Sequence, residues 1–160
     1  MRKNEIEAFW IAYLDTLPSE QPHRFDAGPE AWQFGYGEEM GDELGQLVLD
    51  GTKTATCSRY LGGNLLEEAG LSIILNGRSH PICLIETVEI SIRPYNAVDA
   101  EFAKDEGEGD LSLAYWQKAH WQFFSNESEK EGYEVSEEML LCCERFKVLY
   151  PIKKATENAE

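Results

Sequence analysis

Positive charge is what this sequence has least of. Fourteen Lys and Arg residues stand against thirty Asp and Glu, a formal net charge of −16. Affinity for a polyphosphate backbone comes from neutralising phosphates with a basic face, so long nucleic acid is disfavoured as a partner. No apolar run approaches the ~18 residues that suggest a membrane span. The amino terminus, MRKNEIEAFW, is charged and amphipathic where a secretory signal would be apolar. These absences lead us to expect a cytoplasmic protein with no membrane partner. Cysteine is sparse and lacks pattern: Cys57 and Cys83 stand alone, and Cys142 and Cys143 are neighbours in an apolar run. There is no Cys-x-x-Cys, and His23, His80 and His120 keep no ligand spacing to the thiols. Free, mostly buried thiols and no metal are the expectation. Neither repeats nor low-complexity tracts are present.

What is there suffices for a real core. The chain has 160 residues, 42% of them apolar, which predicts a single domain over 1–150 and a flexible tail at 151–160. The charge is uneven. Residues 27–50 carry six acids and no base, whereas 51–98 balance four of each. A small, weakly charged ligand can enter such a neutral window, although long polyanions are repelled at a distance.

Periodicity predicts a helix over 3–17, with Ile6, Phe9, Trp10, Tyr13, Leu14 and Leu17 at helical spacing before Pro18. Residues 18–37 read as an irregular surface connection. A second helix is predicted from Glu39 to Leu49, capped by Gly51. Two β-branched runs flank Asn76-Gly77, a tight-hairpin signal. Two helices follow, the first capped by Asp99 and the second starting at Asp110. The segment MLLCCERFKVLY reads as a final strand ended by Pro151. Helices, strands, helices, strand: the order fits an α+β fold with a small, strongly curved or closed sheet.

Two stretches stand out chemically. In LVLDGTKTATCSRY, residues 47–60, a lone Lys53 sits among Thr52, Thr54, Thr56 and Ser58. A lysine whose pKa is lowered by its surroundings serves as a general base and activates a nearby hydroxyl, which makes Lys53 and Thr56 a candidate pair. The same composition also suits a plain surface turn. It is no P-loop, because Leu47 stands where the upstream glycine belongs. In AKDEGEGDLSLAYW, glycines interleave Glu106, Glu108 and Asp110. Such bends can aim carboxylates inward, and they also occur as solvated acidic loops. Trp32 and Tyr60 are among several aromatics able to stack on a nucleobase or to pack in the core. His120, between Trp116 and Phe124, reads as a packed core histidine and not as a catalytic base.

LVLDGTKTAT, AEFAKDEGEGDLSLAYWQKAHWQFF and the closing ERFKVLY together resemble the ASCH domain family, from about Trp32 to Tyr150. The resemblance implies a PUA-like small β-barrel with flanking helices and a cleft lined by the lysine motif, in a family linked to RNA metabolism. Small bacterial members are amidohydrolases of N4-acetylcytidine and related N4-acylated cytosines, and another bacterial member is a ribonuclease. Their Lys–Thr–Glu trio falls here on Lys53, Thr56 and Glu106, with Glu108 close by as the other candidate glutamate. Substrate contacts would then involve Glu108, Arg59, Tyr60 and Trp32. The family's arginine two residues after the threonine is shifted here, with Cys57 and Ser58 before Arg59. The shorter amidohydrolases have no counterpart of the N-terminal helix or of the Trp32–Tyr36 loop. A hydrolase with no cofactor or metal, acting on a small nucleoside as a monomer or homodimer, is the resulting expectation. The alternatives are an ASCH-type ribonuclease and a non-catalytic RNA-binding module.

Overall fold

A computed structural model describes residues 2–18, 28–63 and 70–151. The elements run α1 (Arg2–Leu14), β1 (Glu30–Trp32), α2 (Gly37–Leu49), β2 (Ala55–Arg59), β3 (Leu71–Leu75), β4 (Pro81–Pro94), a 3-10 turn (Tyr95–Ala97), α3 (Ala100–Glu106), α4 (Leu113–Glu131) and β5 (Leu140–Tyr150). The strands hydrogen-bond in the order β1-β3-β4-β5-β2. The class is α+β, as the order of helical and strand patterns predicts. The tail expected at 151–160 lies outside the described residues save Pro151. No described helix is long and apolar enough to cross a membrane.

The chain divides into two compact units. Of the described residues, the first comprises 2–18, 28–49, 70–87 and 147–151, and the second 50–63 and 88–146, so the long strands β4 and β5 contribute to both. In the first unit, Trp10 of α1 packs on Ile73 of β3 and Leu84 of β4, with Ile6, Phe9, Tyr13 and Leu14 around them. These are the residues whose helical spacing marks α1. The strand β1 is a departure from the expected irregular connection. Its Ala31 pairs in parallel with Ile73, more than forty residues along the chain, and three residues are too few to show a strand period.

The Asn-Gly hairpin is also wider than its sequence signal. Asn76 accepts from the amides of both Arg78 and His80, which holds a five-residue connection open between β3 and β4. Gly77 is needed there for another reason. A Cβ on it would lie 1.9 Å from the carbonyl oxygen of Glu38, so the turn packs directly against the start of α2.

The second unit is built on β2 and β5, antiparallel with Cys57 opposite Cys143 and Ala55 opposite Arg145. Strand side chains alternate between faces. The Ala55, Cys57, Leu141 and Cys143 side packs under α3 and α4 through Phe102, Ala103, Trp116 and Phe124. Asp99 caps α3 as expected, accepting from the Phe102 amide at 2.8 Å. The start of α4 is corrected. Its cap is Ser112, which accepts from the Tyr115 amide. Asp110 instead accepts from the Ser112 amide, because Gly109 and Leu111 both take positive φ and delay the helix by two residues. No disulfide joins the four cysteines; Cys57 is half-buried and Cys83, Cys142 and Cys143 are buried.

Candidate functional site

Three backbone devices bring Lys53 to the carboxyl end of α3. The last carbonyls of a helix lack partners within it. Here the Thr54 amide donates to the Asp105 carbonyl at 2.8 Å, while the Phe146 amide of β5 donates to the Thr54 carbonyl at 3.0 Å. The loop before β2 is therefore tied to α3 on one side and to β5 on the other. Gly107 ends α3 in the left-handed region, at φ +76°. A Cβ there would meet the Thr52 carbonyl oxygen at 2.4 Å and Lys53 Cα at 2.8 Å. Only glycine allows the helix end to approach the lysine loop this closely.

The Lys53 side chain is 1% exposed and surrounded by acceptors. Its Nζ donates to the Ala55 carbonyl at 3.0 Å, the Glu106 carbonyl at 3.3 Å, Glu106 Oε1 at 3.4 Å and Glu108 Oε2 at 3.1 Å. Burial alone would lower its pKa, but the charges of Glu106 and Glu108 outweigh burial and the net direction is upward. The neutral amine expected of a general base is thus corrected. Two carboxylates hold Lys53 as an ammonium.

Glu106 is as deeply buried, at 1% exposure. One oxygen faces Lys53. The other accepts from the Trp116 indole N–H and lies 3.2 Å from His120 Nε2. Burial pushes its pKa up, but the Lys53 charge and the His120 hydrogen bond win and bring it to about 2. His120 stacks on the Trp116 ring at 4.2 Å and 16°, so its core packing is as the sequence predicts. Its bond to Glu106 is not. Cys57 faces the same cluster from β2. Burial, reinforced by the Glu106 charge, drives the pKa of its thiol well above the ordinary range.

Ligand atoms of Cys57, Glu106 and His120 lie within 4.8 Å of one another, a donor set of a type zinc accepts. Glu106 already satisfies Trp116, His120 and Lys53, and a dication would sit beside the Lys53 charge. We assign the group as a hydrogen-bonded ionic cluster and not as metal ligands.

The expected site residues thus fall into distinct places. Lys53, Glu106 and Glu108 meet, with Glu106 sealed and the Glu108 side chain 22% exposed. Thr56 is half-buried on β2, and strand alternation turns it to the face opposite Cys57 and Glu106. Arg59 is engaged elsewhere: its guanidinium lies 3.3 Å from Glu131 and 3.8 Å above the Tyr133 ring, at the far end of α4. Tyr60 donates its amide to the Leu140 carbonyl as β2 ends. Trp32 belongs to the first unit, packed edge-on against Phe34. Trp116 and Cys57 were not marked as site residues by their sequence. The visible signal was the Trp-x-x-x-His spacing, which puts both rings on one face of α4 directly after the acidic loop.

The ASCH domain family profile matches residues 30–150. Among solved structures, the chain is similar to an ASCH domain from Lactobacillus crispatus JV V101, with 36% identity and a TM-score of 0.80 over 91% of this chain and 94% of that one. It is also similar to protein EF3133 from Enterococcus faecalis V583, with 37% identity and a TM-score of 0.76 over 92% and 89%. No curated protein matches. The α+β, PUA-like class expected from the motifs is the class of these structures.

Proposed function

The chain belongs to the ASCH domain family, and from that premise we propose that it is an amidohydrolase removing the acyl group from N4-acylated cytosine nucleosides. The observation that supports this reading is the buried Lys53 ammonium held between Glu106 and Glu108, with Glu108 reaching solvent. A fixed ammonium at low dielectric is the kind of group that stabilises charge developing on an acyl oxygen. In this reading the acyl oxygen of the substrate takes the place of Glu108 Oε2 on Lys53, which acts as a donor because its resting state is charged. Thr56 lies on the face of β2 opposite Glu106, so the nucleophile of this reading is a water held beside the solvent-facing Glu108 and not the threonine expected from the resemblance. Glu108 takes a proton from that water, the hydroxide attacks the acyl carbon, and the C–N bond breaks as Glu108 returns the proton to the departing exocyclic N4. Cytidine leaves as the free amine and the acyl group leaves as the acid. Glu106 touches no substrate atom and orients Lys53.

Incubation with N4-acetylcytidine, followed by chromatography, should yield cytidine and acetate in equal amounts. Lys53→Met should abolish turnover, Glu108→Gln should reduce it at least 100-fold, on the order of a lost general base, and Thr56→Ala should keep most of it. Absence of cytidine with the wild-type protein would refute the proposal. A loss on the order of 100-fold in Thr56→Ala would overturn water as the nucleophile in favour of the threonine. Single-stranded RNA incubated in parallel tests the ribonuclease alternative, which the net charge of −16 opposes.

A further inference from the structure

His120 is the buried titratable group that the proposed chemistry leaves without a task. Both of its ring nitrogens face acceptors. Nδ1 lies 2.9 Å from the Trp116 carbonyl, and Nε2 lies 3.2 Å from Glu106 Oε2. A neutral imidazole has one N–H and one lone pair, so either tautomer would point a lone pair at an oxygen. Only the doubly protonated ring satisfies both contacts. Three further features agree with a resident cation. The ring stacks on the Trp116 indole, whose face attracts positive charge. Glu106 lies on one side of it with the field of Glu108 beyond, and the thiol facing it from β2, Cys57, is neutral. With Lys53 and His120 both charged, the two cations balance Glu106 and Glu108 in a cluster that opens to solvent at Glu108.

We propose that His120 is a positioning residue, held as an imidazolium, that fixes one oxygen of Glu106 and thereby turns the other toward the Lys53 ammonium. The consequence for catalysis rests on the amidohydrolase reading above; the protonation state does not. When His120 loses its proton, the Nε2 lone pair meets Glu106 Oε2 and the cluster gains a net negative charge. Glu106 then loses one of the two anchors that set its rotamer, and Lys53 loses its orientation. Burial lowers the pKa of His120, but the hydrogen bond and charge of Glu106 reverse this, so the net shift is upward and the switch lies on the alkaline side of the ordinary histidine range.

Two measurements test this. In protein labelled with nitrogen-15 histidine, the His120 ring, assigned by its loss in His120→Gln, should show both nitrogens protonated at about pH 7, where an ordinary exposed histidine is mostly neutral. In Glu106→Gln it should become neutral at the same pH. A neutral His120 ring in the wild type overturns the proposal, whatever the enzyme does. The second readout is the rate on N4-acetylcytidine against pH. The wild-type kcat should fall on the alkaline limb with the pKa seen by NMR, while KM changes little. His120→Gln retains one N–H toward Glu106 and nothing to titrate, so it should keep part of the rate, lose that limb and exceed His120→Phe by about tenfold. An unchanged alkaline limb in His120→Gln, or equal rates in the Gln and Phe variants, would overturn the positioning role. If the wild type hydrolyses no N4-acylcytidine, the substrate reading fails while the NMR result still decides the imidazolium.

Discussion

Replacing Glu106 by glutamine keeps the shape of the side chain and removes its charge, so it isolates what the ionised carboxylate contributes to folding. Glu106 is 1% exposed, which spares its contacts from solvent screening. Its pKa is held at about 2 against an ordinary 4.5, because Lys53 and His120 outweigh the effect of burial. At about 1.4 kcal/mol for each pH unit between those values, the ionised form stabilises the fold by about 3 kcal/mol at neutral pH. The range of about 3–5 kcal/mol for removing one partner of a buried ion pair agrees. The folded value lies below the unfolded one. The contribution is therefore complete above about pH 4.5 and disappears as pH falls through about 2. Urea unfolding of wild type and Glu106→Gln, followed by tryptophan fluorescence, should show a gap of about 3 kcal/mol near neutrality that narrows steadily in acid. A neutral gap below about 1 kcal/mol, or one independent of pH, would refute the assignment of Glu106 as the doubly paired anion of the site.

Other substitutions probe how the site is held. Gly107→Ala forces a Cβ to within 2.4 Å of the Thr52 carbonyl oxygen at a left-handed φ. It should cost about 2–3 kcal/mol in thermal or urea unfolding, and unchanged stability would mean that α3 and the lysine loop do not meet as described. Asp99→Ala removes the cap of α3, the helix that carries Glu106. A loss of about 1 kcal/mol is expected, and Asp99→Asn should restore most of it. Burial and the Glu106 charge keep Cys57 a thiol, so near neutral pH it should react with a thiol reagent at least tenfold more slowly than a free cysteine peptide. Rapid labelling of Cys57 in the folded protein would contradict its place against Glu106.

Much of the fold was readable because its signals are local. The spacing of Ile6, Phe9, Trp10 and Tyr13 marks α1 whatever it packs on, and Asp99 caps α3 through a bond only three residues long. Misreadings arose where a distant partner overrode local chemistry. Asn76-Gly77 has the composition of a two-residue turn, yet Gly77 is required by its contact with Glu38 of α2. Asp110 has the composition of a cap, yet the positive φ of Leu111 passes that role to Ser112. Within the site, Lys53, Glu106 and Glu108 were legible as chemistry-bearing residues. The facing of Thr56 was not, since it depends on where β2 begins and on its register with β5.

The sequence by itself determined the α+β class, the helices, the strands β3 to β5, the acidic balance and the pairing of a lone lysine motif with a Glu-Gly repeat. Each of these is written in composition or in spacing over a few residues. Only the tertiary structure decided the charge states: a lysine kept as an ammonium, a glutamate that titrates at about 2 and a histidine facing two acceptors. A proton's free energy is set by burial and by the charges beside it. Glu106 lies 53 residues from Lys53 along the chain and 3.4 Å from it in space.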